Sequence, residues 1–447
     1  MKIIIAGAGA VGTHLAKLLS RERHDITLID EKPDRLENLA ADFDLMTIER
    51  SPMSLEALRE ADTQKADLFI AVTPDESHNM TCCMLAKQLG ARKTVARVDN
   101  YEYMQADNAA FFTSAGIDSM IYPEMVAGAE IAQSIKRSWV RQAWEFPGSG
   151  LVFMGVKLRE SARILGRPLK DIAAADDPYH IVAVKRGGDT FIPNGSSIIE
   201  AGDLVYFMTT QHYINYLREV SGKDDYPDVK TVFIMGGGST AVHTVLNMPD
   251  YMNAKIFERD EARSRRLAEV LRDKNAMIIH GDGRDADLLE DEGISGAQAF
   301  VALTENSESN ILACLSAKRQ GVRKTVAMVE NTEYISMAES LDIGTIVNKK
   351  TLAASHIYRM MLKADVTTVK SLTVANADVC EIAIPEGSRV TRRPVRELSL
   401  PSTVTLGGLV REGKGMLVNG STQIRGGDTV VAFCTAGSVK KIEKIFK

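Results

Sequence analysis

Short apolar runs alternate with helical patterns through the first third of the chain. An apolar run at residues 3–5 predicts a buried strand, and Leu15, Leu18 and Leu19 then recur with helical spacing. Further patterns predict strands at residues 25–30, 45–48, 68–72, 94–98 and 117–121, and helices at 33–41, 80–89 and from Pro123 onward. Strands that alternate with helices are typical of βαβ units and a parallel sheet.

Three glycines separate the first predicted strand from the first helix. Gly7, Gly9 and Gly12 have the G-x-G-x-x-G spacing, which allows a tight turn, an approach to a pyrophosphate and close helix packing, respectively. The free N–H groups at the start of the helix favour a phosphate. Asp30 ends the next strand, about 20 residues on, where an acid accepts a hydrogen bond from a ribose hydroxyl. This order predicts a nucleotide site; a nucleotide-free Rossmann turn is the alternative.

The pattern changes at Leu151, where an alternating strand and a turn at residues 187–189 predict a small α+β domain. The acidic segment at residues 224–228 contains a proline and predicts a linker.

The pattern then begins again. Gly236, Gly238 and Ala241 repeat the glycine spacing, and the following strand ends at Glu258. AVTPDESHNM from Ala71 recurs as ALTENSESNI from Ala302, and the small domain recurs as well. The sequence therefore predicts an α/β fold: tandem Rossmann-like parallel-sheet domains, each followed by a small α+β domain. The predicted domains are residues 1–140, 141–223, 229–364 and 365–447.

Composition and charge narrow the functional classes. The chain has 447 residues, 45% of them hydrophobic, and a formal net charge of −5, which argues against a broad nucleic-acid-binding face. No apolar segment approaches the ~18 residues of a membrane span, and the N-terminus lacks the layout of a signal peptide. The five cysteines have no metal-binding spacing and are predicted to be small buried residues in a reducing cytosol.

With these motifs the chain resembles the TrkA family, the regulatory subunits of Trk potassium uptake that are built from RCK domains. The two glycine fingerprints, the A-V-T and A-L-T segments and the alternating domain order carry the resemblance. It implies a homo-oligomeric, tetrameric ring beneath a TrkH/TrkG-like membrane potassium translocator, with NAD(H) or ATP/ADP as the gating ligand. It also implies a cytoplasmic protein, held at the inner face of the plasma membrane through its partner.

The resemblance further implies which residues bind the nucleotide. In the first repeat, Gly7, Ala8, Gly9, Ala10 and Val11 would wrap the pyrophosphate, and Gly12 completes the cofactor-binding turn. Asp30 would hold the adenosine ribose, and Thr73 and Pro74 the distal part of the ligand. Arg97 would neutralise a phosphate, the alternative being an ion pair with Asp99 or Glu102. The matching residues of the second repeat are Gly236, Gly237, Gly238, Ser239, Thr240, Glu258, Thr304 and Glu305.

Three departures predict that the two sites are inequivalent. Met328 stands where the first repeat has Arg97, and Glu258 is followed by Arg259, which would weaken discrimination against a 2′-phosphate. The G-D-A motif that is usual after the third strand is Gly281-Asp282-Gly283 in the second repeat and Glu49-Arg50-Ser51 in the first.

Two other features have competing interpretations. His14 and His243 occupy equivalent places after the glycines, where packing is favoured over pH sensing. The apolar segment at residues 124–139 is predicted to pack outside its own domain, the alternative being an ordinary core helix.

The alternative function is an NAD-dependent oxidoreductase. Such an enzyme needs an acid or base beside the hydride acceptor, and in the small domains His180 stands alone. A redox-sensing transcription factor would need a helix-turn-helix or a basic region, and neither is found. We therefore expect a regulator without catalytic residues, in which a nucleotide shifts the population between conformations.

Overall fold

The computed structural model describes the chain except residues 21–23, 147, 173–177, 362–365, 373–374, 376, 436–444 and 447. The chain divides into two units, Met1–Val126 with Lys349–Leu362, and Ala127–Asn348 with Lys363–Lys447.

A six-stranded parallel sheet lies in the first unit, in the order β3-β2-β1-β4-β5-β6. Its strands are β1 (Lys2–Ala6), β2 (Asp25–Asp30), β3 (Met46–Glu49), β4 (Leu68–Ala71), β5 (Thr94–Arg97) and β6 (Ser119–Ile121). The helices are α1 (Ala10–Ser20), α2 (Pro33–Asp42), α3 (Leu55–Glu60), α4 (Glu76–Leu89), α5 (Ala109–Ser114) and α6 (Pro123–Ile135). Ile3, Ile4 and Ile5 are fully buried, as expected for a strand covered on both faces. The strand order reverses between β1 and β4, and ligands bind doubly wound sheets at the carboxyl ends of such strands.

The first small domain is an antiparallel sheet in the order β10-β9-β11-β8-β7. Its elements are β7 (Gln142–Glu145), β8 (Leu151–Lys157), α7 (Leu169–Ile172), β9 (Tyr179–Arg186), β10 (Asp189–Phe191), β11 (Leu204–Thr210) and α8 (Ile214–Val220). The hairpin at residues 187–188 was predicted, whereas strand β7 was not. Strand β7 has only four residues, two of them polar, and this is too short for an alternation of apolar and polar positions to be recognised in the sequence.

The second Rossmann-like domain repeats the first sheet in the order β14-β13-β12-β15-β16-β17. Its strands are β12 (Thr231–Met235), β13 (Asn253–Glu258), β14 (Ala276–His280), β15 (Ala299–Ala302), β16 (Lys324–Met328) and β17 (Thr345–Val347). The helices are α9 (Ser239–Leu246), α10 (Glu261–Val270), α11 (Ala286–Asp291), α12 (Ser307–Arg319), α13 (Glu333–Ser340) and α14 (Lys349–Met361).

The second small domain is an antiparallel sheet in the order β18-β19-β22-β20-β21, equivalent to that of the first. Its strands are β18 (Val366–Leu372), β19 (Ala377–Ala383), β20 (Val404–Arg411), β21 (Lys414–Leu417) and β22 (Thr429–Thr435). The tandem architecture predicted from the sequence is therefore confirmed.

Each Rossmann-like domain packs against a helix that comes from the other repeat. Helix α14 of the second repeat belongs to the first unit and packs on α1. In the second unit, α6 of the first repeat packs on α9 so closely that a Cβ added to Gly128 would lie 2.6 Å from the Cβ of His243. The predicted packing of this segment outside its own domain is confirmed, although the helix ends at Ile135. The buried His243 has a packing role at this contact.

An ion pair stabilises the same strand junction in both small domains. Arg186 donates to both carboxylate oxygens of Asp203 at 2.8 Å, and Arg411 donates to those of Asp428 at 2.8 and 2.7 Å. Burial alone would raise the pKa of Asp428, but the hydrogen bonds from Arg411 and from the N–H of Arg425 outweigh it and lower the pKa. Each aspartate follows a glycine, in the recurring pairs Gly202-Asp203 and Gly427-Asp428, and supplies a bidentate acceptor for an arginine.

The five cysteines are buried and free, as predicted from their spacing. Burial raises the pKa of the Cys82 and Cys314 thiols to about 12, so both remain protonated and unreactive. In the part of the chain that the structure describes, none of the helices has the length and apolar character to cross a membrane.

The substitution Asp428→Asn is expected to lower the free energy of unfolding by about 3 kcal/mol at pH 7, since Arg411 loses its countercharge. The carboxylate has a lower pKa in the folded than in the unfolded chain, so its stabilisation is present above about pH 4 and is lost as the pH falls further. The difference between wild type and variant should therefore shrink in acid. Urea unfolding can be followed by the fluorescence of Trp139 and Trp144, the chain's two tryptophans, which lie in the same unit.

Glu261→Gln is the control for this prediction. It removes an exposed pair with Arg265 in the same unit and should change stability by less than about 1 kcal/mol. Equal midpoints for wild type and Asp428→Asn at pH 7 would contradict the role given to the ion pair.

Candidate functional site

The first glycine turn has the geometry that each glycine was predicted to provide. Gly7 has φ of +106° and donates its N–H to the carbonyl of Ile29 at 2.8 Å. A Cβ on Gly12 would lie 1.9 Å from the carbonyl oxygen of Gly7, so only glycine allows α1 to begin this close to the strand. A Cβ on Gly9, in contrast, would have no atom within 4 Å. Gly9 therefore leaves open space at the turn, which a ligand needs in order to lie close to the protein backbone.

Asp30 lies beneath this turn and holds it in place. The residue is only 6% exposed, and its carboxylate accepts hydrogen bonds from the N–H of Ala8 at 2.7 Å and of Lys32 at 2.9 Å. Arg35 approaches the same carboxylate at 3.4 Å. Carboxylate oxygens have further lone pairs, so the predicted bond from a ribose hydroxyl is compatible with this structural role.

The second glycine turn is built in the same way with a longer acid. Gly236 has φ of +97°, and the carboxylate of Glu258 accepts from the N–H of Gly237 and of Asp260, both at 2.9 Å. A Cβ on Gly238 would again have no atom within 4 Å. Both predicted acids therefore lie directly under their glycine turns.

Helix N-termini face both turns. Ala10 and Val11 begin α1, while Ser239 and Thr240 begin α9, whose N-cap is Gly238 and carries no side-chain hydrogen bond. The first N–H groups of a helix have no partner within the helix, and the helix dipole favours an anion there. Both turns therefore have the donor set and the space that a pyrophosphate needs.

A buried asparagine beside each turn was missed by the sequence analysis. Asn79 is fully buried; its Oδ1 accepts from the backbone N–H and the hydroxyl of Thr73, both at 2.8 Å. Its amide donates to the carbonyls of Thr73 and Arg97, both at 3.0 Å, and so ties the ends of β4 and β5 together. The signal that could have found it is the aligned pair of asparagines, Asn79 and Asn310, in the two repeated segments.

The second repeat has the same arrangement around Asn310. Its amide donates to the carbonyls of Thr304 and Met328, both at 2.8 Å, and its Oδ1 accepts from the Thr304 hydroxyl. Thr73 and Thr304 are thereby fixed beside Gly7 and Gly236. The predicted Pro74 and Glu305 follow these threonines and are exposed.

Arg97 forms one of the ion pairs that the sequence analysis left open. Its guanidinium donates to the carboxylate of Asp99 at 3.0 Å, while its buried Nε has no hydrogen-bond partner among the described residues. An orphaned donor of this kind suits a phosphate oxygen. The equivalent Met328 is buried and apolar, so the two sites differ in charge at this position.

The residues after the third strands differ as well. Asp282 accepts from Arg284 at 2.7 Å and lies 3.9 Å from the guanidinium of Arg259. The hydrogen bond from Arg284 lowers the pKa of Asp282. In the first repeat, Arg50 pairs with Glu56 at 2.7 Å instead. The carboxylate near Arg259 reduces the positive charge that this arginine offers to a 2′-phosphate.

The chain is similar to known proteins both in its separate domains and over its whole length. The family model of the TrkA-N domain matches residues 3–123 and 232–349, and that of the TrkA-C domain matches residues 153–222 and 379–447. The Trk system potassium uptake protein TrkA of Haemophilus influenzae is 31% identical over all of this chain and 99% of its own length. The protein of the same name from Vibrio alginolyticus is 30% identical over the same shares.

Two solved structures share the fold over the length of the chain. The GsuK RCK domain has a TM-score of 0.60 and 14% identity, covering 100% of this chain and 94% of its own. The GsuK channel bound to NAD has a TM-score of 0.60 and 15% identity, covering 100% of this chain and 78% of its own.

The substitution Asn79→Asp tests the role of the buried asparagine. The carboxylate keeps an acceptor for Thr73 but loses the amide that donates to the two carbonyls, which should lower the local opening free energy by about 2 kcal/mol. Hydrogen exchange should become faster in β4 and β5 and stay unchanged in β15 and β16. Asn310→Asp should give the reverse pattern, so each variant is the control of the other. Unchanged exchange around the substituted residue would contradict this role.

Proposed function

This chain belongs to the family of Trk system potassium uptake proteins TrkA, and from this premise we propose that it is their nucleotide-binding regulatory subunit. It binds NAD(H), or alternatively ATP or ADP, and controls potassium uptake through a TrkH/TrkG-like membrane translocator. The observation that carries this proposal is the pair of glycine turns, each with open space at its middle glycine and a helix N-terminus behind it.

The residues of each turn supply the contacts that a dinucleotide requires. The pyrophosphate lies against the N–H groups at the start of α1, with Gly9 allowing its approach. Asp30 accepts from the ribose hydroxyl, Thr73 and Pro74 lie toward the distal part of the ligand, and Arg97 supplies a positive charge. The second turn lacks that charge because Met328 replaces the arginine, so we expect it to bind more weakly or to prefer a different nucleotide.

The structure suggests how a bound nucleotide acts on the rest of the protein. The glycine turns lead directly into α1 and α9, and these are the helices on which α14 and α6 of the opposite repeats pack. A ligand at the start of either helix therefore contacts an element shared between repeats. A nucleotide that fits one arrangement of these helices better shifts the population toward it, by no more than its differential affinity.

Catalysis is not part of the proposal. His180, which stood alone as a candidate acid or base, is half-buried in β9, and its Nδ1 lies 3.1 Å from the carbonyl of Val418. Burial lowers the pKa of this imidazole, and the ring is occupied in the contact between the two small domains.

We propose that the chain works in the cytoplasm as a homo-oligomeric, tetrameric ring, held at the inner face of the membrane by its translocator.

The substitution Gly9→Val tests nucleotide binding with little cost to the fold. A Cβ here has no protein atom within 4 Å, and the valine side chain would fill the space left for the ligand, so we expect the affinity for NADH, ATP or ADP at the first site to fall by at least about 10-fold. Gly238→Val should do the same at the second site. Calorimetric titration of all three nucleotides into each variant would rank the ligands site by site.

Gly296→Val is the matched control, since a Cβ there also has no atom within 4 Å and the residue lies in the turn before β15. It should bind as the wild type does. Absence of binding by the wild type, or full binding by the Gly9→Val and Gly238→Val double variant, would refute the proposal. Turnover of NADH with a small substrate would favour the oxidoreductase instead.

A further inference from the structure

A cavity of about 520 Å³ lies in the second unit, and its lining residues do not include the glycine turn of that unit. Its wall is formed by the segment before β7, the end of β8 with the residues after it, the segment that follows α8, and the connection from α12 to β16. Residues of the first small domain and of the second Rossmann-like domain therefore face one another across it. The volume is in the range of small-molecule sites.

Positive charge dominates this wall. Seven cationic side chains line the cavity, and among the described residues on and behind the wall two carboxylates, Asp225 and Asp342, face them. These seven side chains are Arg141, Lys157, Arg159, Lys223, Lys318, Arg323 and Lys324. The wall therefore carries a large excess of positive charge.

Asp342 is already shared among several of these cations. Its carboxylate lies 2.6 Å from Arg141, 2.8 Å from Arg159 and 3.1 Å from Lys157, and Lys318 also contacts it. Burial alone would raise the pKa of Asp342, but Arg141 and its neighbours outweigh that effect and lower the pKa strongly. One carboxylate cannot neutralise four cations, so charge is left for a ligand.

Two lysines on the wall are almost completely buried. Lys324 donates to the carbonyl of Val140 at 2.5 Å and to the hydroxyl of Thr345 at 2.9 Å. Lys223 contacts the Tyr226 hydroxyl at 3.3 Å and lies 4.5 Å from that ring. Burial, with Arg159 and Arg141 nearby, lowers the pKa of Lys223 to about 7. Burial disfavours the ammonium form of both lysines, and an anion in the cavity would stabilise that form.

We propose that this cavity is a further ligand site, distinct from the two glycine turns, which binds a small molecule carrying at least two phosphate groups. Arginine forks and lysine point charges are the groups that recognise phosphate, and here they converge from four segments of the chain. The site is independent of the nucleotides proposed for the glycine turns. Its occupant joins the first small domain to the second Rossmann-like domain, and thus adds a separate regulatory input.

Tripolyphosphate is a suitable probe, because it has the charge and no base or ribose. Calorimetry, together with the fluorescence of Trp139 on the cavity wall, should report saturable binding to the wild type. Arg323→Gln and Lys223→Met should each weaken binding by about 10-fold, since each removes a charge-assisted contact. Arg323 is half exposed, so its substitution keeps the test valid even if the Lys223 variant fails to fold.

Arg319→Gln is the matched control, because this exposed arginine lies on α12 but does not line the cavity. It should bind tripolyphosphate as the wild type does, and so should the Gly9→Val and Gly238→Val double variant. Equal binding by Arg323→Gln, Arg319→Gln and the wild type would overturn the proposal. Loss of binding in the glycine double variant would also overturn it, by placing the probe at the glycine turns.

Discussion

A hydrogen bond from a backbone N–H to a buried carboxylate holds each glycine turn in shape. Asp30 accepts from Ala8 at 2.7 Å and Glu258 accepts from Gly237 at 2.9 Å, and each acid also binds a second N–H just beyond its strand. Such charge-assisted bonds are strong in a buried site. They fix the turn so that its middle glycine leaves space for a ligand, and they set the point at which the next helix begins.

The exchange of helices between repeats connects each glycine turn to the packing of the other repeat. Because α14 packs on α1 and α6 packs on α9, each helix that begins at a glycine turn also supports the opposite repeat. Each Rossmann-like domain thus packs against one helix of the other repeat, and the two domains are not structurally independent of each other. The arrangement fits a regulator that responds to a ligand by changing how its domains pack, which is the function we propose.

Local geometry explains why so much of this could be predicted from the sequence. The spacing of the glycines is enough to predict the positive φ at Gly7 and the close helix packing at Gly12. Apolar runs in the sequence are enough to predict the buried strands. Asn79 could not be found this way, because its role depends on β4 and β5 being neighbours. The cationic cavity joins Arg141, Lys223 and Arg323, which only the fold brings together. For Arg97 the sequence left two partners open, and the fold places Asp99 beside it.

The most direct test of the central claim is potassium flux through the Trk-type translocator of the same cell, reconstituted in vesicles with this chain. NADH, ATP and ADP would be added one at a time, with wild type compared against Gly9→Val. The account predicts that at least one nucleotide changes the flux with the wild type and that this response is lost or strongly reduced in the variant. Flux that is independent of the chain, or a nucleotide response that survives unchanged in Gly9→Val, would contradict it.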